Sequence, residues 1–127
     1  MNIPTKVVIT GAGATSPYGA GVTALWEGLK SGRGCMHPVE ALQSLPMVKT
    51  KVAATVPDID YSYIPRRDRR SMSRMALYAY AAAKEALLQA GYEKAPQGLG
   101  FFMGSTLNSI SKWMEITGYC HGNHLEL

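Results

Sequence analysis

Apolar positions fall into short continuous runs and longer periodic ones, and the two kinds alternate along the chain. Val7-Val8-Ile9 is continuous and β-branched, the pattern of a strand covered on both faces. It predicts a first strand over Lys6 to Thr10, ended by Gly11 and Gly13, because glycine turns tightly without a Cβ penalty. Pro17 and Gly19 keep the next loop irregular. The period then changes. Val22, Leu25, Trp26 and Leu29 stand at i, i+3, i+4 and i+7, the apolar face of a helix packed on a sheet. Thr23 suits its start, and Gly32 stops it.

Ser31-Gly32-Arg33-Gly34 reads as a flexible loop, and Val39 to Leu45 as a short helix closed by Pro46. Val48 to Val56 alternates loosely, with Lys49 and Lys51 outward, and is expected as a strand toward a sheet edge. Asp60 to Pro65 is connector. Arg67 to Ala90 contains neither Gly nor Pro, and its apolar residues from Met72 to Ala90 recur at helical spacing. So many alanines suit a long helix buried between layers, and Gly91 suits its C-terminal cap. Leu99 to Met103 reads as a second buried strand ended by Gly104. A helix from about Asn108 to Tyr119 follows, with Ile110, Trp113, Met114 and Thr117 on its apolar face. Strands alternating with helices place the chain in the α/β class with a layered sheet.

Length and composition narrow the function classes. The 127 residues fit one small domain. No apolar run approaches the roughly 18 residues of a membrane span. No basic segment leads into an apolar core as in a secretory signal, so a cytoplasmic protein is expected. Cys35 and Cys120 are too few for a disulfide scaffold. Cys35-Met36-His37 and Cys120-His121-Gly122-Asn123-His124 hold ligand-type residues, but without the paired spacing of a structural zinc site; no metal or cofactor is expected. The net charge is +4, and Arg66, Arg67, Arg69, Arg70 and Arg74 concentrate it in one stretch. Such a local patch suits an acidic partner. No aromatics are interleaved with these arginines, which argues against nucleic acid.

The Gly-rich turn admits two readings. A dinucleotide turn needs G-x-G-x-x-G, a helix directly after it and an acidic residue some 20 residues on. Here Ser16 takes the third glycine position, Pro17 follows, and the helix starts later. A phosphate-binding Gly-Lys-Ser/Thr is absent.

The second reading is a resemblance. Val7-Val8-Ile9-Thr10-Gly11-Ala12-Gly13-Ala14-Thr15-Ser16-Pro17-Tyr18-Gly19, then Leu25-Trp26-Glu27-Gly28-Leu29-Lys30-Ser31-Gly32, resembles the start of a β-ketoacyl-acyl-carrier-protein synthase of the elongating type. The likeness continues through Ile64-Pro65-Arg66-Arg67-Asp68-Arg69-Arg70-Ser71-Met72, the alanine-rich helix ending Gln89-Ala90-Gly91, and Leu99-Gly100-Phe101-Phe102-Met103-Gly104-Ser105. It covers nearly the whole chain in order.

The resemblance implies a thiolase-like fold, here incomplete, in which mixed sheets are layered with helices. It implies decarboxylative Claisen condensation, with substrates carried on the phosphopantetheine of acyl carrier protein in fatty-acid or polyketide-type synthesis. The family's nucleophilic Cys and its His residues match no position here, so residues 1–127 read as a single partial domain, inactive alone. Its partners would be a carrier protein and either further copies or the missing C-terminal half. Poor solubility or oligomerisation is expected, since faces the other half should cover would be exposed. Arg67 and Arg70 match the family's carrier-docking positions, Arg66 and Arg69 flank them, and Ser71 stands where the family often has another base. Leu107 matches the residue that gates the acyl pocket, with Phe102 and Met103 beside it; Thr106 and Asn108 replace glycines common in the family. Two alternatives stand beside this reading: a non-catalytic chain-length or carrier-binding partner, and a Rossmann-type nucleotide-binding protein.

Overall fold

The computed structural model describes residues 6–106 together with Met114, Thr117 and Gly118. Its organising element is α4 (Arg74–Gln89). The Ser73 side chain caps it by accepting the Ala76 N–H at 3.2 Å. At the other end Tyr92 N–H donates to the Leu87 carbonyl and Gly91 N–H to that of Leu88. With Gly91 at φ +84°, this is a Schellman stop, in which a left-handed residue lets two orphan carbonyls be satisfied.

The helix expected over Arg67 to Ala90 is two helices. A short α3 (Arg66–Arg69) precedes α4. Ser71 Oγ donates to the Asp68 carbonyl at 2.9 Å, and Ser73 turns its oxygen to the next helix start. Both serines offer the backbone local partners that compete with helix continuation. Nor is α4 buried: its side chains are half-buried or exposed.

Ahead of these helices lie a hairpin of β1 (Thr15–Ser16) and β2 (Gly19–Ala20), then α1 (Val22–Lys30). The hairpin pairs Thr15 with Ala20 and Ser16 with Gly19. Helix α1 begins after Gly21, not at Thr23, and ends at Ser31 before Gly32, whose φ is +64°. Its expected apolar face is only half covered, for Trp26 and Leu29 are exposed.

A second antiparallel pair joins β3 (His37–Pro38) to β4 (Val52–Ala53), with α2 (Glu40–Gln43) between them. The strand expected over Val48 to Val56 thus shortens to two residues. Lys51, expected to face outward, turns inward. Its Nζ donates to the carbonyls of Leu42 at 2.7 Å and Leu45 at 2.6 Å, a cation at the negative end of α2.

The two continuous apolar runs do not form strands. Val7 and Ile9 are each 91% exposed, and Phe102 is 96% exposed. A buried strand exists only once neighbours satisfy its backbone on both sides, and no ladder partner reaches either run among the described residues. Among the described residues two two-stranded pairs stand where a layered mixed sheet is expected. Ile64, 2% exposed, is the one buried apolar residue among the described residues. Met114, Thr117 and Gly118 are helical; the rest of the helix expected over 108–119 lies outside the described residues. No described helix is long and apolar enough to cross a membrane.

Candidate functional site

The Gly-rich turn is seated on one face of α4. A Cβ on Gly13 would run into the Ala82 carbonyl oxygen, and one on Gly11 into that of Ala86. Neither glycine has a positive φ. Their missing side chains serve close approach between backbones, not the tight turn expected of them. The same face anchors the turn by its side chains. Ala12 N–H donates to Gln89 Oε1 at 2.6 Å and Ala14 N–H to Glu85 Oε2 at 2.9 Å. Glu85 Oε1 accepts the Val22 N–H at 2.8 Å, so one carboxylate also caps α1. Thr15 Oγ1 donates to the Tyr78 carbonyl at 3.2 Å. Sequence reasoning missed Glu85 and Gln89. The available signal was two polar residues four apart on a helix read as an alanine face.

The arginine stretch lies at the start of this helical layer. Buried Ile64 fixes its entry, and Pro65 accepts the Asp68 and Arg69 N–H groups at 3.0 Å each. Arg66, Arg67 and Arg70 are exposed, as is Arg74 in the first turn of α4. Arg67 Nε meets Asp68 Oδ1 at 3.2 Å, with the two side chains 93% and 49% exposed. Such a solvated pair is worth about 0–1 kcal/mol and leaves Arg67 available. Arg69 differs, being half-buried. The Ser62 N–H and hydroxyl, each donating at 2.8 Å, hold the Asp60 carboxyl below the usual range, and the Arg69 charge adds to them. The structure thus leaves three of the four predicted docking arginines exposed and the fourth, Arg69, half-buried.

An aromatic cluster braces this connector against α4. The Tyr63 and Tyr80 rings stack at 6.2 Å, and Lys84 Nζ lies 3.9 Å from the Tyr63 ring centre. Burial raises the Tyr63 and Tyr61 phenols above their ordinary value.

The predicted acyl-pocket residues separate. Phe101 and Met103 line an open groove of about 280 Å³ together with Met72 and with Ala76, Ala79, Tyr80 and Ala83 of α4. Phe102 points to solvent. Leu107 lies outside the described residues. Cys35 borders a surface cavity of about 530 Å³ with Tyr18, whose hydroxyl donates to the Arg33 carbonyl at 2.7 Å. Burial, then Cys35, raises the Tyr18 phenol. His37 Nε2 is 2.9 Å from Thr55 Oγ1. Among the described residues no group of three or more His, Cys, Asp or Glu could hold a metal. Cys120, His121 and His124 lie outside them.

The turn, the arginine stretch and α4 fall within one continuous family match. The family model described as β-ketoacyl synthase, N-terminal domain, matches residues 5–122. The chain belongs to the β-ketoacyl synthase family.

Relatives bear out the membership. The relative named granaticin polyketide β-ketoacyl synthase 1, from Streptomyces violaceoruber, is 31% identical over 84% of this chain and 26% of its own length. The oxytetracycline polyketide β-ketoacyl synthase 1 of Streptomyces rimosus is 34% identical over 79% of this chain and 24% of its own. A crystal structure of a β-ketoacyl synthase from Burkholderia phymatum superposes with a TM-score of 0.69 at 24% identity, covering 95% of this chain and 31% of that one. The chain therefore spans about a quarter of the length of the synthases it matches by sequence, and it folds as the corresponding α/β part of one.

Proposed function

We propose that the chain supplies the N-terminal part of a β-ketoacyl-ACP synthase of thiolase-like fold, a condensing enzyme of fatty-acid or polyketide-type synthesis. The family match through the Gly-rich turn and α4 is the observation that carries this reading. In this reaction an acyl group moves onto a cysteine, malonyl carrier protein loses CO₂, and the carbanion attacks the acyl thioester. The chain's own part is architectural and recognitive. Residues 1–127 form a single partial domain with no nucleophile of its own, inactive alone.

Arg66, Arg67 and Arg70 present the docking surface for an acidic acyl carrier protein, with Arg69 supporting from the side. Exposed guanidiniums bind carboxylates bidentately and speed transient encounter by charge. In the whole enzyme Leu107, Phe102 and Met103 would border the acyl chain, by resemblance to the family. The turn's hydrogen bonds support this reading over a nucleotide site. The Ala12 and Ala14 N–H groups are engaged by Gln89 and Glu85, and a carboxylate stands where a phosphate would need those donors.

The test is a condensation assay with acyl and malonyl carrier proteins. The chain is assayed alone and co-expressed with the remaining, C-terminal portion of a relative. β-Ketoacyl product only in the combined sample is the expected result. Product from the chain alone, abolished by Cys35→Ala, would overturn it.

A further inference from the structure

We propose that Ser71 is a phosphorylation site that switches the basic surface around it; the regulatory half of this inference rests on the carrier-docking reading above. Ser71 is exposed and lies in the non-helical break between α3 and α4. Its hydroxyl touches only the surface turn, donating to the Asp68 carbonyl at 2.9 Å. Ser73, two residues on, is half-buried and engaged as the cap of α4. The break therefore offers one accessible hydroxyl outside α4, on a turn whose Ser71 N–H also donates to the Asp68 carbonyl at 3.3 Å; presenting it to a kinase cleft opens that turn and leaves the hydrogen bonds of α4 in place.

The charges around it favour both the modification and its effect. Arg66, Arg67, Arg69 and Arg70 precede Ser71 and Arg74 follows, with Asp68 the one acid in that run. Five positive charges less one negative leave +4 over residues 66–74, complementary to the acidic substrate groove of a basophilic serine/threonine kinase. In the transfer, Ser71 Oγ attacks the terminal phosphorus of ATP and its proton passes to the kinase's base. The bond from that phosphorus to the bridging oxygen breaks, ADP leaves, and nothing is oxidised or reduced. The new group carries about −1.5 to −2, roughly halving the local charge. Its oxygens compete for the guanidiniums of Arg67 and Arg70 that a partner's carboxylates would take.

Two measurements on the full chain test this. The first treats it with a basophilic kinase and ATP and maps phosphate by peptide mass spectrometry. Ser71 should be labelled, and more slowly in an Arg69→Ala/Arg70→Ala variant; label confined to other residues overturns the site. The second compares unmodified chain with chain bearing genetically encoded phosphoserine at position 71 for binding to an acidic acyl carrier protein. Phosphorylation should weaken binding about tenfold, while Ser71→Ala leaves it unchanged. Equal affinity overturns the switch but leaves the docking reading standing. Failure of the unmodified chain to bind overturns docking and the switch together, and the mapping alone then decides the modification.

Discussion

The Glu85 carboxylate caps the first turn of α1 by accepting the Val22 N–H at 2.8 Å, across 63 residues of chain. Its second oxygen holds the Ala14 N–H at 2.9 Å. One side chain thus fixes both the exit of the Gly-rich turn and the start of the next helix against α4.

Glu85→Ala should therefore be among the costly substitutions. It leaves two half-buried N–H groups without their acceptor, and hydrogen bonds to a charged group contribute about 1.5–3 kcal/mol. We expect a loss of about 2 kcal/mol in urea unfolding, with Glu85→Gln losing less because it keeps one acceptor. Equal stability of Glu85→Ala and the parent chain would show that the clamp contributes nothing.

Gly13→Ala should destabilise by overpacking, at about 1–3 kcal/mol, because the added carbon meets the Ala82 carbonyl. Gly34→Ala is the control, since that site is open and its φ is not positive. Thermal melts of the pair should separate clearly; coincident melts would mean the turn does not rest on α4.

Charge reversal should sort the arginines. Arg67→Glu and Arg70→Glu each remove an exposed cation and should weaken binding to an acidic carrier protein about tenfold at low salt, with the loss shrinking as salt rises. Arg69→Ala should affect binding less and act on Asp60 instead. Surface plasmon resonance across a salt series reads both, and a larger effect at Arg69 than at Arg67 would contradict the assignment.

Asp60 gives a pH dependence of definite sign. Its carboxyl is held low by the Ser62 N–H and hydroxyl and by Arg69. A depressed carboxyl stabilises the folded chain above its unfolded value of about 3.9, and that contribution disappears as pH falls through the lower folded value. An NMR titration should place the Asp60 midpoint below the ordinary range, and Ser62→Ala should raise it. An unmoved midpoint in that variant would assign the shift elsewhere.

Helices were legible in this sequence because their signals are local. Gly32 stops α1 and Gly91 stops α4 where the pattern places them. The break at Ser71 and Ser73 escaped a reading based on apolar spacing, because hydroxyl competition leaves that spacing intact. The strands were not legible in the same way. Val7-Val8-Ile9 carries the right side chains, but a ladder requires backbone from elsewhere, and none of the described residues supplies it. The candidate site divides likewise. The arginines could be read from composition, whereas the half-burial of Arg69 beside its exposed neighbours is visible only in the fold. Glu85 and Gln89 became visible as anchors only once the turn lay across them.

The contact beneath Gly13 also constrains how this chain can change. The obstacle to a larger residue there is the main-chain carbonyl of Ala82, which every amino acid carries. Trimming Ala82 to glycine cannot make room, so the defect has no side-chain suppressor at the point of contact. Second-site revertants of Gly13→Ala should map to residues that shift α4 as a body, such as its ends at Ser73 and Gly91, and not to its alanines.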